Sequence, residues 1–193
     1  MKSTQVFLIA APLCFFGYGV IRFAGRLDHV YGPGLDWQAA HLVNLVGLVL
    51  FVPAVFGLRR MLPAGWGREA AVALTLIGVA TSIVQFVADI VFGLLADDKA
   101  GMRELSGQFS SVPGVRLTFY TVGPPLMYVG IVALVVMLAR IGKLPWWSTA
   151  VVTAGVVLPL ITLDLIPVAA LCFLAGLAPL ALRDTNQLAG VTR

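Results

Sequence analysis

Charge is what this chain has least of. Only 11% of its 193 residues are Asp, Glu, Lys or Arg, while 60% are hydrophobic; an ordinary soluble domain is roughly 25% charged. No soluble fold of this length has enough interior to hide so much apolar surface. A water-dissolved globule is therefore excluded, and the lipid bilayer is the solvent and first partner to expect. Cysteine is equally sparse. Cys14 and Cys172 lie in apolar runs and form neither a disulfide framework nor a CxxC redox pair. The two histidines, His29 and His41, have no carboxylate or thiolate at ligand spacing, so no metal is expected, and no cofactor-binding motif is present. Despite a net charge of +4, no basic cluster is built to follow a phosphate backbone, which argues against nucleic acid. Internal repeats and low-complexity segments are absent. The first apolar run lacks a clear small-x-small cleavage site and is followed by Arg22 and Arg26, so it is expected to stay as a helix.

What is present is a series of long apolar runs. A span needs about 20 mostly apolar residues, and spans are expected over about 5–25, 37–58, 69–96 and 117–139. The stretch from Ser148 to Leu182 is too long for one span at about 1.5 Å per residue and carries Pro159, Pro167 and Pro179. It is read as two short spans, about 148–164 and 167–183, joined by a tight turn around Asp164–Pro167. The fold class is thus all-α, a single polytopic transmembrane bundle over 1–193. Six spans are expected, with five plus a re-entrant or kinked segment as the alternative. Threading them from an inner N-terminus puts Lys2, Arg59, Arg60, Arg68, Arg140, Lys143, Arg183 and Arg193 inside, and Arg22, Arg26, Lys99, Arg103 and Arg116 outside. That bias favours both termini inside, in a bacterial cytoplasmic membrane. Trp37, Trp66, Trp146 and Trp147 fall at span ends, where interfacial belts form. The outer connection Asp97–Arg116 is the long one: a lid, a short surface helix or a plain solvated connector.

The few polar residues inside the spans carry the functional reading, because a charged group at mid-membrane costs several kcal/mol and is kept for a partner or a task. Asp89, Gln85 and Ser82 stand four and three residues apart on one face of the third span. They form either a structural hydrogen-bond cluster or a reactive site. Trp37, His41 and Asn44 make a second stripe on span two. Span four brings Thr118, Tyr120, Thr121 and Tyr128 around Gly123-Pro124-Pro125, a break that removes helix donors and kinks the span. Asp164 is a turn acid or a second reactive acid, and Arg22 either snorkels to the interface or pairs with one of the acids. By depth, His41, Asn44, Gln85, Asp89, Tyr120 and Asp164 all fall in the outer half. One polar pocket is expected there, lined by aromatics such as Phe15, Tyr18, Phe86, Phe92 and Phe119.

A buried carboxylic acid keeps its proton and acts as a general acid, and aromatic faces stabilise a carbocation. Together they fit proton-initiated cyclisation of a polyprenyl chain, with Asp89, Asp164 and His41 as catalytic candidates. Trp37, Asn44, Gln85, Phe86, Phe92, Tyr120, Tyr128 and Tyr18 would then contact an apolar or prenylated small-molecule substrate. Metal-assisted diphosphate ionisation is not expected, because Asp97-Asp98 is followed by Lys99 and Ala100 and no third acid. A proton-coupled carrier, with Asp89, His41 and Asp164 as a relay, and a non-catalytic accessory subunit are the alternatives. Oligomeric state is not encoded in these features.

The stretch Trp37-Gln-Ala-Ala-His41 through Leu48-Val-Leu-Phe-Val-Pro53-Ala-Val-Phe-Gly-Leu-Arg-Arg60 resembles small actinobacterial integral-membrane proteins. In size and in its membrane-embedded acids the chain is also similar to the small bacterial membrane terpene cyclases of drimentine-type pathways, a likeness of layout rather than of an aligned motif. That resemblance implies protonation of a terminal alkene or epoxide on a prenylated substrate.

Overall fold

The computed structural model describes residues 2–27 and 31–182. Asp28, His29, Arg183 and Arg193, and with them the end of the last expected span, lie outside these residues. The described chain is helical: α1 (Lys2–Leu27), α2 (Leu35–Met61), α3 (Trp66–Leu95), α4 (Lys99–Ser111), α5 (Gly123–Arg140), α6 (Trp146–Ile161) and α7 (Ile166–Ala181). A π-helical turn, Arg116–Val122, leads into α5, and a 3₁₀ turn, Leu163–Leu165, leads into α7.

Local chemistry explains the breaks. Leu62, held extended before Pro63, ends α2. α5 closes on Gly142, whose φ of +71° suits a residue without Cβ, and the Lys143 amide donates to Leu138 O at 2.9 Å. The π turn sits just before Pro124-Pro125. Neither proline can donate back to the carbonyls of the preceding turn, so the chain takes a wider register, in which the Gly123 amide bonds Thr118 O. Asp98 caps α4, accepting from the Gly101 amide at 2.8 Å, as an acid at a helix start does. The long connection is therefore a surface helix, and no residue of α4 is buried.

Among the described residues, five helical stretches are long and apolar enough to cross a membrane: Thr4–Leu27, Leu35–Met61, Trp66–Leu95, Arg116–Arg140 and Leu163–Ala181. α6 is apolar but only 16 residues long, about 24 Å, short of a hydrocarbon core of about 30 Å. Pro145 sets its start, and the extended Thr162 ends it. The short α6 falls on the fifth expected span, about 148–164, and the stretch Leu163–Ala181 falls on the sixth, about 167–183.

The neighbour relations close on themselves. α1 packs on α2, α2 on α3, α3 on α5, α5 on α6, α6 on α7, and α7 returns to α1. Close approach within this ring relies on small residues, as lipid-embedded helices do. A Cβ at Gly78 would collide with the Met127 backbone, and one at Gly19 would lie 2.7 Å from Pro167 N. The second contact holds α7, and the turn before it, against α1.

The core fills one half of the ring. Leu8, Val55, Leu58, Leu134, Leu138 and Leu177 are essentially unexposed, and all lie toward the end that carries Arg59, Arg68 and Lys143. Outside, Leu13, Val46, Val49, Ile77, Val87, Val129 and Leu171 are exposed, an apolar belt that water does not tolerate and lipid does.

Candidate functional site

The other end of the ring is hollow. Each helix of the ring contributes to a central cavity of about 320 Å³: Phe15 and Tyr18 from α1, Asn44, Leu48 and Phe51 from α2, Ser82, Gln85 and Phe86 from α3, Met127 and Tyr128 from α5, Gly155 and Pro159 from α6, and Ile166, Ala169 and Phe173 from α7. Above it lies a polar mouth of about 630 Å³, bordered by Arg22, Arg26, Tyr31, Trp37, His41, Asp89, Lys99 and Asp164. Tyr18, Gln85 and Leu163 line both, so the two spaces meet at those side chains. A third space, also about 320 Å³, runs under α4 past Phe92, Met102 and Ser106 and shares Asp89, Trp37, Tyr31 and Lys99 with the mouth. The one pocket expected from the sequence is thus three adjoining spaces. Their sizes fall in the range of small-molecule sites.

Asp89 stands where the mouth meets the space under α4. Its carboxylate accepts from Tyr120 Oη at 3.5 Å, a long contact. Its backbone carbonyl accepts from Trp37 Nε1 at 3.0 Å, and the Ile90 carbonyl accepts from Gln38 Nε2 at 3.1 Å. These two bonds fasten the start of α2 to the end of α3. They need Gly93, where a Cβ would lie 2.7 Å from both the Gln38 amide and the Trp37 ring. Trp37 therefore turns inward into the cavity wall, while Trp66, Trp146 and Trp147 are exposed at helix starts. All four tryptophans stand at helix starts, and Trp37 is the one whose indole turns inward to a carbonyl of α3.

His41 is buried in an aromatic box. Its ring stacks on Trp37 at 4.0 Å between centroids and meets Phe86 at 5.3 Å and Tyr18 at 5.8 Å. Nδ1 lies 2.7 Å from Trp37 O. A carbonyl only accepts, so Nδ1 carries the hydrogen and, in the neutral ring, Nε2 keeps a free lone pair.

Asp164 is held differently. One of its oxygens, Oδ1, accepts from Arg26 Nη1 at 2.5 Å and Arg22 Nη1 at 3.1 Å. The Asp164 amide donates to Thr162 Oγ1 at 3.3 Å, which makes the turn that presents the carboxylate. Both guanidiniums reach this one oxygen from α1, so the carboxylate is engaged by two charge-assisted hydrogen bonds. Spacing of four puts Arg22 and Arg26 on one face of α1, a signal the sequence carried; their joint grip on Asp164 was not drawn from it. Tyr31, also not singled out from the sequence, borders both the mouth and the space under α4. Burial pushes its phenol above the ordinary tyrosine range, and among the described residues its Oη is shielded with no hydrogen-bond partner.

Most of the expected lining is brought together: Tyr18, Trp37, His41, Gln85, Asp89 and Asp164 in the mouth, Asn44, Phe86, Tyr120 and Tyr128 in the central cavity, Phe92 under α4. Phe119 is not part of the lining. It stacks on Phe109 of α4 at 6.4 Å. Thr118 and Thr121 are exposed, and Thr121 bonds the Arg116 carbonyl at 3.1 Å. The π turn shifts their phase away from the cavity. No group of three or more His, Cys, Asp or Glu side chains among the described residues is arranged to hold a metal ion. Comparison of the chain with protein-family models, with curated proteins and with solved structures finds no match in any of the three.

Proposed function

We propose that this chain is an integral-membrane enzyme that binds a prenyl or similar lipid-like substrate inside its helix ring and starts a cyclisation by proton transfer from Asp89. The observation that carries the reading is an aromatic-lined apolar cavity, built by six helices, opening into a polar mouth that holds a carboxylate without a cation bonded to it. Asp164 borders the same mouth but is neutralised by Arg22 and Arg26, so Asp89 is the acid. α6 crosses with the other helices of the ring as a short sixth span, and the mouth faces the outer side of a bacterial cytoplasmic membrane, with the N-terminus and C-terminus inside.

The chemistry balances within the chain. The Asp89 carboxyl proton adds to one carbon of an alkene held where Gln85 and Tyr18 join the two spaces, and the neighbouring carbon becomes a tertiary cation. The ring closes when a second double bond of the same chain donates its electron pair to that cation. The rings of Tyr18, Phe86 and Trp37 present π faces to the positive charge. A proton lost from the carbon beside the final cation returns the electron pair to a double bond. The Asp89 carboxylate takes it back directly, or by way of His41 Nε2. No net proton is consumed, and the reaction is an isomerisation. Tyr120 positions Asp89 through the hydroxyl contact.

The closed core at the Arg59 end supports a fixed pocket over a carrier, which needs access from both sides. The test is turnover of prenylated substrates by the purified protein and its Asp89→Asn variant. We expect the variant to fold and to lose product formation. Equal activity in the two proteins would remove Asp89 as the acid.

A further inference from the structure

The central cavity is apolar in outline but carries a polar stripe. Among the described residues no Asp, Glu, Lys, Arg or His side chain lines it, and its polar side chains are all neutral: Tyr18, Asn44, Ser82, Gln85, Tyr120 and Tyr128. Three of them are already engaged. The Ser82 hydroxyl donates to Gly78 O at 2.8 Å, Tyr120 Oη donates to Asp89, and Tyr18 Oη stands beside Arg22. Asn44, Gln85 and the Tyr128 hydroxyl have no hydrogen-bond partner among the described residues. Asn44 is the sharpest case, because it lines the cavity and is only 7% exposed. A buried carboxamide left unpaired costs free energy that a hydrogen-bonded one does not. Asn44 lies three residues along α2 from His41, and Gln85 lies four residues along α3 from Asp89. Both therefore sit about 4–6 Å of helix rise deeper than those mouth residues. One and two turns beyond Asn44, the lining side chains Leu48 and Phe51 are apolar.

We propose that Asn44, Gln85 and Tyr128 form a neutral hydrogen-bonding station that receives the hydroxyl of a prenyl alcohol, whose chain fills the rest of the central cavity. This rests on the reading of the cavity as a lipid site and adds the polar function its ligand carries. The chemistry of the three side chains selects that function. A carboxamide offers an accepting oxygen and two N–H donors, and a phenol both donates and accepts. An alcohol matches both kinds. Its O–H donates to a carboxamide oxygen, and its lone pairs accept from a carboxamide N–H or from Tyr128 Oη. A carbonyl or an ether only accepts, and leaves the carboxamide oxygens unpaired. A charged head group in this cavity would meet no opposite charge, and its desolvation would go uncompensated. A plain hydrocarbon leaves all three groups unpaired. The C–O bond of the alcohol stays intact. Held at the station, the hydroxyl fixes one end of the chain, and a double bond further along stands at the junction near Asp89. The oxygen thereby selects which double bond receives the proton.

The full-length protein in phosphatidylcholine nanodiscs, with empty discs as control, is titrated with farnesol, farnesyl methyl ether and farnesene. Binding is followed by quenching of tryptophan emission, with ligand expressed as mole fraction in the disc lipid so that partitioning cancels. Farnesol is expected to bind about tenfold tighter than farnesene, the effect of one or two neutral hydrogen bonds made in place of unpaired groups, with the ether between them. Asn44→Leu, close in volume, is expected to cut that preference severalfold and to leave farnesene affinity as it was. Its Tm without ligand should be unchanged or raised, because Asn44 has no partner to lose. Arg26→Gln, at an exposed side chain of the mouth, is expected to leave the preference intact. Equal binding of farnesol and farnesene, a comparison that needs no variant, overturns the hydrogen-bonding station and leaves the lipid cavity standing. Ether binding as tight as that of farnesol overturns the alcohol. A preference kept by Asn44→Leu overturns the assignment to Asn44, and one lost in Arg26→Gln places the hydroxyl in the mouth and overturns the station. A lower Tm for Asn44→Leu makes Asn44 a bond between helices and overturns its role here. Absence of binding by all three compounds overturns the cavity reading itself, and the alcohol proposal with it.

Discussion

At the Arg59 end of the ring, Leu58, Leu134, Leu138 and Leu177 meet with no exposure, whereas at the Asp164 end the same helices part around connected cavities. The polar groups differ in the same way. Toward the closed end, the Thr75 hydroxyl donates to the Ala71 carbonyl of its own helix at 2.7 Å. Thr149 reaches Val135 O across to α5, and Lys143 caps the Met61 carbonyl at 2.7 Å. Ser148 Oγ is the exception, buried with no partner among the described residues. Toward the open end, polar side chains face the cavities or bond between elements: Trp37 to Asp89, Tyr120 to Asp89, and both arginines to Asp164. A hydroxyl bonded to its own helix costs little and asks nothing of its neighbours. A carboxylate in the wall of a cavity fixes the relation of several helices and remains available to whatever enters. The difference follows from where the chain is irregular. The π turn before Pro124-Pro125, the 3₁₀ turn and Pro167 all lie at the open end, where uninterrupted helices would have continued to pack.

The comparison is tested most strongly by one change at each end. Asp89→Asn is expected to lower turnover by roughly 10²–10⁴-fold, the usual contribution of a positioned acid, with little change in Tm. Leu134→Ala is expected to do the reverse. Removing a side chain with no exposure leaves a void that costs roughly 2–5 kcal/mol, read as a shift in reversible unfolding, while farnesol affinity stays within a few-fold. Should Leu134→Ala abolish binding at temperatures where the protein is still folded, the two halves are one cooperative unit and the division fails.

Much of this division is legible in the sequence, for a physical reason. Depth in a bundle follows from counting residues along each span, so His41, Asn44, Gln85, Asp89, Tyr120 and Asp164 could be assigned to one end without knowing how the helices touch. Rotation cannot be counted in this way. Which face of α1 meets α7 depends on Gly19 against Pro167, a contact between residues 148 positions apart. That contact is what brings Arg22 and Arg26 to Asp164. The π turn is the clearest case. Its wider register rotates the residues ahead of Gly123 relative to a continuous α-helix, so Phe119, expected in the pocket lining, packs on Phe109 instead while Tyr120 still reaches Asp89. The inward turn of Trp37 is of the same kind: a tryptophan at a span end reads as interfacial until its carbonyl partner on α3 is known.

Asp164→Asn separates the two acids of the open end and has a smaller effect. The pair is partly exposed, with 38% of the Asp164 side chain accessible, so its loss is expected to cost about 1 kcal/mol or less. Turnover should stay within a few-fold if Asp89 is the proton donor. A collapse of turnover with unchanged binding would instead make Asp164 a catalytic group and weaken the assignment of the acid.

The smallest expected effect lies at the closed end. Glu69 accepts from Arg59 at 2.8 Å and from Arg68 at 2.5 Å, the most complete ion-pair network in the described chain and the obvious candidate for a clasp that shuts that end. Its side chain is 45% exposed, and charges open to water are screened by salt and gain little from pairing. Arg68 is also held independently by the Leu62 carbonyl at 3.0 Å. Glu69→Gln is therefore expected to leave Tm, measured at low and at high salt, indistinguishable from that of the parent. A marked drop at low salt that disappears at high salt would show that ion pairing closes the Arg59 end. In that case each end would be held by one carboxylate between two guanidiniums, and the meeting of apolar side chains would not be what separates them.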